Sequence, residues 1–178
     1  NGGGKVNKGA STADHNSGMN VAATYDYCDA GGNLVYQVVR LRPKSFRQRR
    51  PDGNGGWTWN LGGVERVLYN LRAVLAGDPE ETVYYVEGEN DVEALRAHGR
   101  IATTHAGGAN AFKPEGVDVL RGRKLVVIAD NDDPGIKMAL QVCQALRPIA
   151  ASVKLIRFLG DVIPGADVSD FLSDPAMT

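Results

Sequence analysis

The chain has 178 residues, 43% of them hydrophobic and 23% charged, with a formal net charge of -1. That is enough for one well-cored domain with a small appendage, in the composition range of ordinary globular proteins. No apolar run approaches the roughly 20 residues that span a bilayer, nothing resembles a signal peptide, and the chain, opening on Asn1, reads as a fragment.

The near-neutral total conceals a segregation. Between Arg40 and Arg50 stand six basic residues, Arg40, Arg42, Lys44, Arg47, Arg49 and Arg50, and no acid, whereas acids crowd at Glu87 to Glu93 and at Asp130 to Asp133. A basic tract and an acidic site in one chain suggest a polyanion held by the first and metal ions held by the second. The two cysteines, Cys28 and Cys143, lie far apart with no Cys or His at metal-ligand spacing. This argues against a zinc site and for a reducing, cytoplasmic setting.

Residues 1–20, rich in Gly, Ser and Asn, bury too little apolar surface to offset the entropy of ordering and read as a disordered tail or linker. Residues 21–78 read as a small β-rich basic subdomain with one helix. Ala23 to Leu41 forms two strand-like runs around Gly31-Gly32-Asn33, a hairpin signal, with the basic tract following on its second strand. After the turn Pro51 to Gly56, Trp57-Thr58-Trp59 predicts a short strand with both indoles on one face. Paired tryptophans beside arginine can stack single-stranded bases, but anchoring a small sheet on a domain is the commoner use and the expectation here. The basic tract is read as phosphate-contacting in preference to a solvated strand edge. Val64, Val67, Leu68, Leu71, Val74 and Leu75 then fit a helix, ended by Gly77-Asp78-Pro79.

Residues 79–178 alternate strand and helix, which argues a parallel sheet with helices on both faces. Thr82 to Val86 is a strand running straight into Glu87-Gly88-Glu89-Asn90-Asp91. Asn90 with Glu93 resembles a capping box, Val92 and Leu95 face a core, and Gly99 stops the helix. Arg100 to His105 is a further strand, followed by a flexible turn over residues 106–110. Leu125 to Ala129 is apolar, rich in β-branched residues and without alternation, the pattern of a buried strand, and it ends in Asp130, Asp132 and Asp133. Pro134 at the first helical position with Asp133 as N-cap predicts a helix carrying Ile136, Leu140, Cys143 and Leu146. Ser152 to Phe158 is a last strand, and Pro164 to Leu172 brings Asp167 and Asp170. Strand ends are where open α/β sheets place their chemistry, so the acidic clusters should gather at one rim.

Carboxylates drawn together repel, which a cation relieves. Mg²⁺ prefers hard oxygen ligands and takes one or two carboxylates per ion. Glu87, Asp130 and Asp132 could hold one or two such ions against a phosphate, favouring phosphoryl transfer or phosphodiester chemistry. A calcium loop starting at Asp130 fails, because its fifth ligand would be Pro134 and its twelfth Gln141. A receiver domain or an aspartate nucleophile leaves Glu87 and the late Asp167 and Asp170 without a task. His98 and His105 read as structural or solvated.

The order Glu87-Gly88-x-x-Asp91 after one strand, Asp130-x-Asp132-x-x-Gly135 after a second, and Gly165-x-Asp167-x-x-Asp170 resembles a Toprim domain, over about residues 80–173. Within that group the chain is similar to the Toprim region of phage and plasmid DNA primases and primase-helicases. The resemblance implies a Toprim-like, Rossmann-like α/β fold with a parallel sheet flanked by helices. It also implies Glu87, Asp130 and Asp132 as catalytic and metal-binding residues under Mg²⁺ or Mn²⁺, with Asp91, Asp167 and Asp170 as auxiliary ligands. The implied activity is RNA primer synthesis from nucleoside triphosphates on a single-stranded DNA template, with a replicative helicase, fused or separate, as partner. A Toprim nuclease and a non-catalytic nucleic-acid-binding module are the alternatives, a topoisomerase being disfavoured because no tyrosine has a supporting context. The basic residues have no motif match and stand on composition and location alone.

Overall fold

A computed structural model describes residues 19–114, 116–157 and 166–173. Two four-stranded sheets form its frame. The first is antiparallel and runs in chain order: β1 (Val21–Cys28), β2 (Leu34–Leu41), β3 (Ser45–Pro51) and β4 (Trp57–Thr58). The β1–β2 turn closes because the Asp29 carboxylate accepts from the Asn33 backbone N–H at 2.8 Å while Gly32 takes a φ of 88°. The basic tract continues past β2 onto β3, a strand beyond the predicted position. The period of two turns Tyr25, Tyr27, Tyr36 and Val38 to one face of this sheet. By register it turns Asp26, Gln37, Arg47 and Arg49 to the other.

The second sheet is parallel: β5 (Thr82–Tyr85), β6 (Ile101–Thr103), β7 (Lys124–Ala129) and β8 (Ser152–Arg157), in the order β6-β5-β7-β8. Its helices are α1 (Leu71–Ala76), α2 (Glu89–Ala97), α3 (Asp133–Leu146) and α4 (Val168–Leu172). Alternation within the central strands supplies two cores. Val83, Tyr85, Leu125, Val127 and Ala129 pack on Val74 of α1 and on Met138, Ala139, Val142 and Leu146 of α3. On the opposite side, Val86 and Ile128 meet Val92 and Leu95 of α2 together with Tyr25, Tyr27, Tyr36 and Val38 of the antiparallel sheet. The predicted mixed α/β architecture, a parallel sheet flanked by helices with a β-rich N-terminal unit, is therefore the observed one. The apolar packing crosses the division at residues 78 and 79, because the antiparallel sheet buries its tyrosines against α2.

Those tyrosines fix the junction. Tyr27 and Tyr36 stack at 4.5 Å, and Tyr69 contacts Tyr27 at 5.2 Å between ring centroids. The Tyr27 hydroxyl donates to Glu89 at 2.8 Å and the Tyr69 hydroxyl to Glu93 at 2.7 Å, tying β1 and the segment before α1 to α2. Each buried ring contributes about 1.5–3 kcal/mol through apolar area alone. Among the described residues no helix is long and apolar enough to cross a membrane.

Several local expectations are corrected. Of the helix expected over Val64 to Leu75, only Leu71–Ala76 forms. Leu68 belongs to the core beneath α3 while Val64 and Val67 pack into the tyrosine core, and one helical face cannot serve cores on opposite sides of a sheet. Asn70, at a φ of 57°, sits where the helix begins, with its side chain donating to the Ala102 carbonyl at 3.0 Å. The cap of α2 is Gly88 rather than Asn90, whose side chain is engaged elsewhere. The cap of α3 is Asp132, with Asp133 the first helical residue and Pro134 the second. Trp57 and Trp59 are not core anchors: both are half-buried on the sheet surface, with the guanidinium of Arg49 4.0 Å from the Trp57 ring and that of Arg47 4.5 Å from the Trp59 ring. Phe158 and the Pro164-Gly165 pair lie outside the described residues, as does nearly all of the 1–20 tail.

Candidate metal and nucleic-acid site

Because β5 and β7 are adjacent and parallel, their C-terminal ends deliver acids side by side. Glu87 follows β5 and Asp130 follows β7 directly. Asp91 sits in the first turn of α2, 3% exposed, where its Oδ1 accepts the Ser169 backbone N–H at 3.0 Å. Asp167 caps α4: its Oδ1 accepts from the Asp170 N–H at 2.9 Å and from the Ser169 hydroxyl at 2.7 Å. The Asn90 amide donates to the Ser169 hydroxyl at 2.8 Å, so α4 is docked on α2 through one serine. Asp132 accepts the Gly135 N–H at 2.7 Å. The Asp-x-Asp-x-x-Gly spacing acquires its reason here: a Cβ on Gly135 would lie 2.9 Å from the Asp130 Cβ and 3.0 Å from the Asp132 Oδ1.

Glu87, Asp91, Asp130, Asp132 and Asp167 thus share one rim and one electrostatic field. Burial, followed by the charges of Asp91, Glu87, Asp167 and Asp132, pushes the Asp130 carboxyl up to about 8. Asp91 is pushed up to about 7 by burial and by Asp167, against the bond from Ser169. Glu87 is raised by burial and by Asp132, while the Ala109 backbone N–H and Lys44 draw it down. Asp170 is spent differently: it is exposed, and its Oδ2 accepts the Asp167 N–H at 3.3 Å to complete the capping box of α4.

Two observations bear on a divalent cation. Glu87 Oε2 and Asp130 Oδ1 are buried with no hydrogen-bond partner among the described residues. A buried carboxylate oxygen without a donor is costly unless a cation or proton meets it. As the side chains stand, no group of three His, Cys, Asp or Glu among the described residues is close enough to enclose a metal ion. The oxygen-only donor set, the like charges and the two orphaned oxygens suit Mg²⁺ or Mn²⁺ binding with water completing the shell, which needs few protein ligands.

A cleft of about 440 Å³ runs along this rim, with Arg40, Lys44 and Phe46 on one wall and Glu87, Asp91, Asp130 and Asp167 on the other. Arg42 lines a groove that shares Arg40 and Lys44 with it. The basic tract is not one surface. The alternation of β3 carries Arg47 and Arg49 to the far face of the sheet, beside the tryptophans, while the Nε of Arg50 is buried with no hydrogen-bond partner among the described residues. Of the six basic candidates, the structure brings Arg40 and Lys44 to the acids, leaves Arg42 in the adjoining groove and takes Arg47 and Arg49 away from them.

Residues that sequence reasoning passed over complete the site. His105, read as structural or solvated, is half-buried: its Nδ1 is 2.9 Å from the Tyr85 hydroxyl and its Nε2 3.1 Å from the Gly108 carbonyl. The carbonyl can only accept, so Nε2 carries the proton and Nδ1 accepts from the tyrosine. This fixes the Gly107–Ala109 loop whose N–H reaches Glu87. Ser169, Asn90 and Phe46 had no signal beyond their proximity to recognised motifs, because their roles depend on segments far away in sequence.

No protein-family model matches the sequence, and no curated protein does. Solved structures do match its fold. The E. coli primase catalytic core aligns with a TM-score of 0.58 at 19% identity, over 83% of this chain and 46% of that one. The primase fragment of the bacteriophage T7 primase-helicase protein aligns at 0.57 and 20% identity, over 83% of this chain and 55% of the fragment. A DnaG primase catalytic domain bound to single-stranded DNA aligns at 0.57 and 18% identity, over 82% and 46%. The chain spans about half the length of the structures it matches.

Proposed function

We propose, starting from a chain with the fold of DNA primase catalytic cores, that it is the catalytic Toprim fragment of a phage- or plasmid-type DNA primase. It would synthesise RNA primers on single-stranded DNA. The observation that carries the reading is the pair of buried, unpartnered oxygens of Glu87 and Asp130 at adjacent strand ends, in a cleft whose other wall is Arg40 and Lys44.

Glu87, Asp130 and Asp132 would hold Mg²⁺ or Mn²⁺, with Asp91 and Asp167 placed to contribute. The metal supplies charge stabilisation at the attacking and leaving oxygens of a phosphoryl group. The chain's own part is positioning. Arg40 and Lys44, with Arg42 in the adjoining groove, bind and orient phosphates across the cleft from the acids. The Ala109 N–H and the His105-held loop set the Glu87 carboxylate, and Ser169 sets Asp91 and Asp167. Glu87, its carboxyl raised by burial and by Asp132, is placed to exchange a proton with a reacting group. Asp170 supports the site through the α4 cap. A cytoplasmic replicative helicase, fused or separate, is the partner this activity requires to expose template.

The test is primer synthesis on single-stranded DNA by the full-length protein, with Mg²⁺ or Mn²⁺ and nucleoside triphosphates. Loss of synthesis in an Asp130→Ala, Asp132→Ala double variant that still folds is expected; synthesis that persists would overturn the reading. Cleavage of labelled DNA without nucleotides would identify a nuclease instead. A calorimetric titration with Mn²⁺ that shows no heat would leave only a nucleic-acid-binding module.

A further inference from the structure

The acidic cleft contains one side chain that metal and phosphate binding do not employ. Phe46, on β3, is 49% exposed and belongs to neither core of the described residues, yet it lines the cleft together with the rim acids. Of the large apolar residues left exposed among those described, it alone lies in that cleft. Tyr25 and Val38 line the cleft too, but they are 8% and 2% exposed and sink into the tyrosine core.

A single exposed apolar residue carries no meaning by itself. The surroundings of Phe46 supply one. Strand register sets it directly opposite Arg40, and partners so placed have Cβ atoms about 5 Å apart. Lys44 stands two residues earlier and lines the same cleft. Across from them lie the rim carboxylates, with the unpartnered oxygens of Glu87 and Asp130. The cleft is thus divided into an accessible phenyl ring, two cations beside it and a wall of acids suited to metal ions. Its volume of about 440 Å³ falls within the range of roughly 300–1,000 Å³ that small-molecule sites occupy. An inorganic phosphate or a sugar phosphate would use the cations and the metal wall and leave the ring in water. A nucleotide uses all three, because it joins an aromatic base to phosphate within a few bonds.

We propose that Phe46 is a base-stacking residue: the cleft seats a nucleobase on its ring while Arg40 and Lys44 hold the phosphate of the same nucleotide. A phenyl ring offers no hydrogen bond to a base edge, so the stack tolerates any base. Specificity for one base would have to come from elsewhere. The inference rests on the primase reading and deepens it by giving the base, and not only the phosphate, a place in the cleft. A nucleoside triphosphate and a single strand present the same chemistry, and separate titrations distinguish them.

Each ligand is compared with a counterpart that lacks the base. With the full chain and Mg²⁺, ATP and inorganic tripolyphosphate are titrated by calorimetry, and labelled oligo(dT) and an abasic strand of the same length by anisotropy. Phe46→Leu keeps apolar bulk but removes the ring, at a position exposed enough for the variant to fold, which circular dichroism checks. It should weaken ATP, oligo(dT) or both about tenfold and leave the base-free counterpart unchanged. An effect on ATP assigns the stacked base to the incoming nucleotide, and an effect on oligo(dT) assigns it to the strand. Phe46→Tyr should retain wild-type affinity, whereas Arg40→Ala should weaken a ligand and its base-free counterpart alike. The proposal is overturned if the wild-type chain binds neither ligand, if folded Phe46→Leu binds both as the wild type does, or if it weakens the base-free counterparts equally. Weakening by Phe46→Tyr to the level of Phe46→Leu would overturn it as well. Failure of the primase reading looks different: primer synthesis surviving Asp130→Ala with Asp132→Ala, whatever the Phe46 variants bind.

Discussion

Replacing Asp130 with asparagine should stabilise the metal-free protein while abolishing primer synthesis. Burial and four neighbouring acids raise this carboxyl from 3.8 to about 8. In the unfolded chain it titrates near 3.8, so between those values the folded state holds the extra proton and stability falls as pH rises. For a fully dry group the penalty above pH 8 would be on the order of 5–6 kcal/mol. Asp130 is only half-buried at the cleft, and solvent screening leaves about 1–2 kcal/mol. Asparagine removes that charge with nearly the same shape. Thermal unfolding in chelator at about pH 8.5 should show the variant melting about 2–8 °C above the wild type, with the difference shrinking as pH falls and vanishing only below 3.8, where the unfolded chain is protonated as well. Added Mg²⁺ should stabilise the wild type and leave the variant unmoved. A variant that melts at or below the wild type at high pH without metal would refute the claim that the rim is electrostatically strained.

Tyr27→Phe should cost about 1–3 kcal/mol, because buried Glu89 loses its donor, and urea unfolding monitored by circular dichroism measures it. Gly135→Ala places a Cβ 2.9 Å from that of Asp130 and should destabilise by about 1–3 kcal/mol while weakening Mn²⁺ binding in calorimetry. Unchanged affinity would mean that the Asp130–Asp132 turn does not set the metal site. Leu146→Ala, in the fully buried core under α3, should cost about 2–5 kcal/mol in the same urea assay without changing Mn²⁺ affinity per folded molecule.

Much of the fold was legible because its signals are local. The β7 run, Leu125 to Ala129, is apolar without alternation because both of its faces are covered, by α3 on one side and by the tyrosine core on the other. The acids ending β5 and β7 interrupt these runs so abruptly that the rim could be read directly. What failed also failed for local reasons. Val64, Val67 and Leu68 show helical spacing, but they serve two cores, and periodicity does not record which core a residue enters. Asp132 and Asp133 are both plausible caps by residue type, and only the Gly135 N–H chooses between them.

The order of residues was enough for the alternation of strands and helices, the acids at strand ends and the density of the basic tract. All three follow from the order of side chains along one segment. The tertiary structure decided which of those charges meet. It grouped Glu87, Asp91, Asp130, Asp132 and Asp167, drew Asp170 into a helix cap, and divided the basic tract between the cleft and the tryptophan face. The physical reason is the twofold period shared by β2 and β3, which sets Arg40, opposite Phe46, on the cleft side and Arg47 and Arg49 on the other, and what lies on each side is set by partners distant in sequence.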